Sequence, residues 1–141
     1  MATISLKPTY ICVIDAHPLL WWIAGDKKLG HTARSFLDGV DNGESVLIIP
    51  AVVLAELFMI AEKGRTALTT TVLKAHVKRW HKADNIRLSK LTPQIVIESV
   101  SLTIVPEIFD RLIVAEAKKL NYPLITKDPE IIASGLVTVV W

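Results

Sequence analysis

Sulfhydryl chemistry is almost absent from this chain: Cys12 is its only cysteine, which excludes a disulfide framework and a thiolate zinc site. Its place inside an apolar run predicts a small buried hydrophobe rather than a nucleophile. There is no glycine-rich phosphate loop, and no serine stands on a nucleophile elbow. Long hydrophobic runs are missing as well. Asp15 interrupts the first apolar run and Glu56 the run from Ala51 to Ala61, so neither approaches the ~20 residues that cross a bilayer. The N-terminus carries no basic leader and no small-residue cleavage site, and a cytoplasmic protein is expected. Neither sign of charge dominates: 16 Lys+Arg against 14 Asp+Glu leave +2, which neither demands nor excludes nucleic acid. Repeats, linkers and low-complexity segments are lacking too, so residues 1–141 are expected to form a single domain with one sizeable core.

What the chain does have is apolar segments that alternate in character, with 51% of residues hydrophobic. Tyr10 to Ile14 reads as a strand, and Pro18 opens a helix through Leu19, Leu20, Trp21, Trp22 and Ile23 to Gly25. Adjacent tryptophans cannot share one core stripe, so one is expected to pack inside and the other near the surface or a subunit contact. A short amphipathic stretch from Thr32 to Leu37 ends at Asp41-Asn42-Gly43, and Ser45 to Ile49 reads as a second strand. Helices are expected over Ala51 to Lys63, Thr66 to Ala83, Thr92 toward Leu102, Asp110 to Leu120 and Pro129 to Ser134. Further strands are expected at Ile86 to Leu88, Pro123 to Thr126 and Leu136 to Val140. Such alternation predicts an α/β fold with a parallel sheet covered by helices on both faces.

Four acids stand where this architecture presents ligands. Asp15 ends the first strand and Asp128 follows the strand that ends at Thr126, at the sheet edge where open parallel sheets bind. Glu56 shares a helical stripe with Val52, Met59 and Ile60, which obliges its charge to find a cation, a basic partner or an open cleft. Asp110 opens a helix. Each also has an ordinary reading: Asp15 and Asp128 as helix caps, Asp128 with Pro129 at the first helical position, and Asp110 as an anion favoured by the helix dipole or paired with Arg111. Together they form a set of hard oxygen donors that suits magnesium or manganese rather than zinc. If they gather at one site, the remaining surface is more basic than the net charge suggests. His76 and His81 offer no rival site, having no acid or cysteine at ligand spacing.

These residues carry a resemblance. The run Val13-Ile14-Asp15-Ala16-His17-Pro18-Leu19-Leu20-Trp21-Trp22, Glu56 with Ala61-Glu62-Lys63-Gly64-Arg65, Pro106 to Ala115 with Asp110-Arg111-Leu112-Ile113-Val114-Ala115, and Leu124-Ile125-Thr126-Lys127-Asp128 are similar, in order, to the motifs of PIN-domain ribonucleases. Within that family the chain resembles the VapC toxins of bacterial type II toxin–antitoxin pairs. The resemblance implies a PIN-like three-layer sandwich around about five mostly parallel strands. It also implies an Mg2+ or Mn2+ site made by Asp15, Glu56, Asp110 and Asp128, with Thr126 hydrogen-bonding inside it, and hydrolysis of RNA phosphodiester bonds. Arg111 and Lys127, beside two of the acids, are candidates for phosphate contact or for fixing an aspartate. Ala16 departs from the family pattern, which usually has Thr or Ser there, and removes a hydroxyl from the site's edge. A homodimer and an antitoxin are the implied partners, the antitoxin's C-terminal segment lying in an apolar groove and reaching the acids with a basic side chain. A PIN-like module without catalysis is the alternative. An α/β phosphatase would want a second Asp at the position of His17, and a receiver domain adjacent acids ahead of its first motif; neither pattern is here.

Overall fold

The computed structural model describes residues 10–141, so the reading of the extreme N-terminus lies outside the described residues. In chain order the elements are β1 (Ile11–Ile14), α1 (Ala16–Ala24), α2 (His31–Asp41), β2 (Val46–Pro50), α3 (Ala51–Glu62), α4 (Thr70–Lys82), β3 (Ile86–Ser89), α5 (Pro93–Ser99), α6 (Ile108–Leu120), β4 (Leu124–Ile125), α7 (Pro129–Ser134) and β5 (Val139–Val140). The strands form one sheet in the order β3-β2-β1-β4-β5, and every pairing is parallel. Strands buried on both faces must be apolar along their length rather than alternating, which is why Cys12, Val13 and Ile14 run together without a polar break. Cys12 is accordingly buried, and burial pushes its thiol up to about 12, so it packs as a hydrophobe and does not ionise near neutrality.

Successive strands move one way from β1 through β2 to β3, and β4 and β5 lie on the other side. β1 is therefore the strand at which the order reverses, and the gap beyond the carboxyl ends of β1 and β4 is the crevice that such sheets offer to ligands. Backbone bonds hold it in place: the Val13 N–H meets the Pro123 carbonyl at 2.8 Å and the Asp15 N–H meets the Ile125 carbonyl at 3.0 Å.

Several boundaries differ from the periodicity, the helix ends because a short-range hydrogen bond overrides it and the last strands because the chain has to return. α4 starts at Thr70 instead of Thr66, since the Thr69 hydroxyl accepts the Val72 N–H at 3.2 Å, although Leu68 ahead of it is still buried. α6 starts at Ile108, ahead of Asp110, because the Glu107 carboxylate caps it. α5 stops at Ser99, whose hydroxyl donates back to the Val96 carbonyl at 2.6 Å, and does not reach Leu102. β4 and β5 are each only two residues long, because α7 closes on Gly135 in the left-handed region and the chain must travel back before Val139 and Val140 meet Leu124 and Ile125. Among the described residues no helix is long and apolar enough to cross a membrane.

Trp141 ties the region after β5 to the start of α2. α2 begins at Gly30 with no side-chain cap, and the Trp141 carbonyl fills the role by accepting the Thr32 and Ala33 N–H groups at 3.0 and 3.1 Å. Gly30 is required here by space rather than by backbone angle, since an added Cβ would lie 2.6 Å from Trp141 Nε1. Neither Trp21 nor Trp22 is fully buried: both are partly buried against the core, so the expected division of one inside and one outside does not hold.

Candidate active site

Asp15 is the first residue past β1 and its side chain is almost wholly buried at 6% exposure. Its Oδ1 accepts the Ala16 N–H at 2.7 Å, and its Oδ2 accepts the Thr126 hydroxyl at 2.8 Å. The helix-cap reading therefore holds, and it is compatible with a site, because each oxygen keeps a further lone pair. Thr126, itself fully buried, accepts the Asp128 N–H at 3.1 Å through the same hydroxyl and so ties β1 to the end of β4. Burial raises the Asp15 carboxyl above its ordinary range; the bonds from Thr126 and Ala16 and the nearby His17 work against this, and Asp128 adds to it.

α3 brings Glu56 from one side and α6 brings Asp110 from the other, its N-terminus turned to the crevice. One carboxylate oxygen from each of Asp15, Glu56 and Asp110 lies within 4.8 Å of the others. Burial pushes Glu56 up to about 8, with Asp15, Asp110 and Glu107 adding repulsion. Burial likewise pushes Asp110 up to about 7, helped by Asp15, Asp128, Glu107 and Glu130. Glu56 Oε1 is buried with no hydrogen-bond partner among the described residues. A carboxyl with an orphaned buried oxygen, gathered with two further acids, is the arrangement a hard divalent cation relieves, and an all-oxygen donor set suits Mg2+ or Mn2+.

Asp128 has a different place. It borders the same cleft of about 550 Å³ but stands outside the group of three, and its Oδ1 caps α7 by accepting the Glu130 and Ile131 N–H groups at 2.8 and 3.1 Å. Lys127 lies on the rim with its ammonium 5.9 Å from the centre of the Trp141 ring. Arg111 donates its Nε–H to the Val105 carbonyl at 2.5 Å, which fastens the turn ahead of α6.

Sequence reasoning passed over three residues that line the cleft. Glu107 is not among the candidate acids of the sequence; its Oε2 accepts the Asp110 N–H at 2.9 Å, so it belongs to the same helix end and raises the acid load. The signal was available, since an acid three positions before a candidate ligand at a helix start stands at capping distance. His17 and Trp21 reach the cleft from the first turns of α1, and their four-residue spacing puts them on one face. Glu116 is a buried acid of another kind. It sits on α6 and does not line the cleft; among the described residues its Oε2 has no hydrogen-bond partner, burial raises its carboxyl, and the neighbouring Ser89 opposes this.

Comparison with known proteins bears on this geometry. The sequence pattern of the PIN domain matches residues 12–134. Ribonuclease VapC22 of Mycobacterium tuberculosis is 30% identical over 123 residues, covering 82% of this chain and 85% of that protein. Among solved structures, VapC20 of Mycobacterium tuberculosis, a toxin that cleaves the sarcin–ricin loop, superposes with a TM-score of 0.67 at 16% identity, covering 92% of this chain and 99% of its own. VapBC2 from Rickettsia felis, bound to a DNA fragment from its promoter, gives a TM-score of 0.66 at 14% identity, with 92% and 96% covered. These two likenesses concern the fold; the sequence match spans most of the chain, and by it the chain belongs to the PIN-domain family, among the VapC ribonucleases.

Proposed function

We propose that this protein is a divalent-metal-dependent endoribonuclease and the toxin of a toxin–antitoxin pair, working in the cytoplasm as one domain. The observation that carries the reading is the meeting of Asp15, Glu56 and Asp110, one of which, Glu56, has a buried oxygen without a partner among the described residues. Asp15, Glu56 and Asp110 would hold Mg2+ or Mn2+, with Asp128 at the rim acting directly or through water. When bound, such an ion polarises the phosphate and makes water a better nucleophile at neutral pH.

The chain's own groups do the rest. Asp15 is kept in one rotamer by Ala16 and Thr126, so its free lone pairs point in a fixed direction. Glu56 Oε1, with no competing hydrogen bond, is free to orient a water and take its proton. Lys127 on the rim offsets phosphate charge. Arg111 serves the turn through Val105 rather than the substrate. The hydroxyl that Ala16 lacks is not needed to hold Asp15, because the Ala16 N–H and the Thr126 hydroxyl already do so; this favours catalysis over an inactive module.

RNA cleavage should stop in EDTA and return with manganese or magnesium, and undiminished cleavage in EDTA would refute the reading. The proposal includes a homodimer and an antitoxin partner. Ile97, Val100, Ile104 and Ile108, all more than half exposed between α5 and the start of α6, are an apolar surplus consistent with a covered surface. Light scattering should give twice the monomer mass, and a monomer at high protein concentration removes the dimer from the proposal.

A further inference from the structure

The acids share their cleft with a lining of a different character. His17 and Trp21, one helical turn apart on α1, form a wall with Pro18, and Pro129 stands at its edge. The imidazole and indole lie 5.9 Å apart and tilted by 47°. Behind Trp21, Trp141 meets it edge-on at 5.8 Å and 71°. Trp141 is fixed in turn by the two N–H groups of α2 that its carbonyl accepts, by the space that Gly30 leaves, and by the Lys127 ammonium over its ring. Trp21 is therefore braced from one side and left partly exposed on the side of the cleft.

Holding a metal ion requires none of this, and a partly exposed indole beside water is an unfavourable use of a large apolar surface unless something covers it. A flat aromatic group suits an exposed ring face, and an anion joined to it could reach a cation held by the acids. A nucleotide within a polynucleotide meets both conditions. We propose that His17 and Trp21 form a stacking subsite for a nucleobase next to the scissile phosphate, so that one cleft binds phosphate at its acids and an adjoining base at its aromatic wall. The inference rests on the ribonuclease reading above and deepens it. Every base has a π-face, so such a wall tolerates sequence while fixing the position of the phosphate.

The test compares two probes of equal length, a mixed-sequence oligoribonucleotide and the same backbone without bases. Binding to the full chain is measured in calcium, a hard cation taken by oxygen ligands. Trp21→Leu, which keeps apolar bulk against Trp141 but has no ring, should weaken binding of the base-bearing probe by roughly tenfold and leave the base-free probe unchanged. Trp21→Phe should restore most of the loss. Equal binding of the base-bearing probe by parent and Trp21→Leu overturns the stacking subsite, as does a loss that falls alike on both probes or that Phe does not recover. Cleavage of RNA by the parent in manganese is scored separately. A parent that cleaves while Trp21→Leu binds normally fails the subsite alone; a parent that neither binds nor cleaves RNA fails the ribonuclease reading and the subsite with it.

Discussion

Asp15→Asn should lower RNA cleavage by about a thousandfold or more, the equivalent of several kcal/mol of charge stabilisation, while the protein stays folded. The fold survives because the substitution keeps both local bonds. Asn Oδ1 still accepts the Ala16 N–H, and its amide faces the Thr126 hydroxyl, which can turn to accept while it continues to accept the Asp128 N–H. What disappears is the largest source of charge repulsion on both Glu56 and Asp110, and with it the proposed central ligand. Asp128→Asn should cost far less, about tenfold, since Asn serves the α7 cap nearly as well and Asp128 stands outside the group of three. Initial rates on RNA in manganese, with a thermal melt to verify folding, measure both. Equal activity of parent and Asp15→Asn would end the assignment of Asp15; an Asp128→Asn variant as inactive as Asp15→Asn would move Asp128 into the metal shell.

The second large effect is on stability, and its sign follows from the raised carboxyls. Glu56 moves from an ordinary 4.5 to about 8, and Asp110 from 3.8 to about 7. Between those limits the folded state binds more protons than the unfolded chain, so stability falls as pH rises. The contribution is fully present below the ordinary values and is lost as pH climbs through about 7 and about 8. The metal-free protein should thus melt at a lower temperature at pH 8 than at mildly acid pH, and Asp15→Asn should flatten the decline, because Asp15 repels both groups. Manganese has to displace the same protons, so its stabilisation should grow with pH, reaching roughly 2.7 kcal/mol at a hundredfold excess over its dissociation constant. Melts of parent and variant in EDTA and in manganese across this range decide the matter. A metal-free melting temperature that is flat or rises toward pH 8, or a parent that manganese leaves unshifted at pH 8, is incompatible with the acids sharing one cleft.

Much of this protein is legible locally. The strand ending at Ile14, the helix that Gly25 stops in the left-handed region, and the Asp128-Pro129 start of α7 are all written in a few adjacent residues, because caps, terminators and apolar runs act over less than two turns. The boundaries that moved, at Thr70, Ile108 and Val139, moved where one side-chain bond or one returning segment outweighed periodicity. Donor chemistry was legible too, since acids without cysteine or a suitable histidine restrict the choice to hard cations, and the family motifs gathered the four acids as one set.

The sequence by itself therefore determined the alternation of strands and helices, the parallel sheet and the kind of ion the acids suit. Only the tertiary structure decided how those acids divide. Asp15, Glu56 and Asp110 converge because β1 lies where the strand order reverses and α3 and α6 pack together across that point, while Asp128 turns its Oδ1 to its own helix. Glu107 and Trp21 came to line the same cleft for the same reason. A cap is made by neighbours in the chain and can be read from them; a cleft is made by elements brought together through the crossovers of the sheet, and no local signal carries that distance.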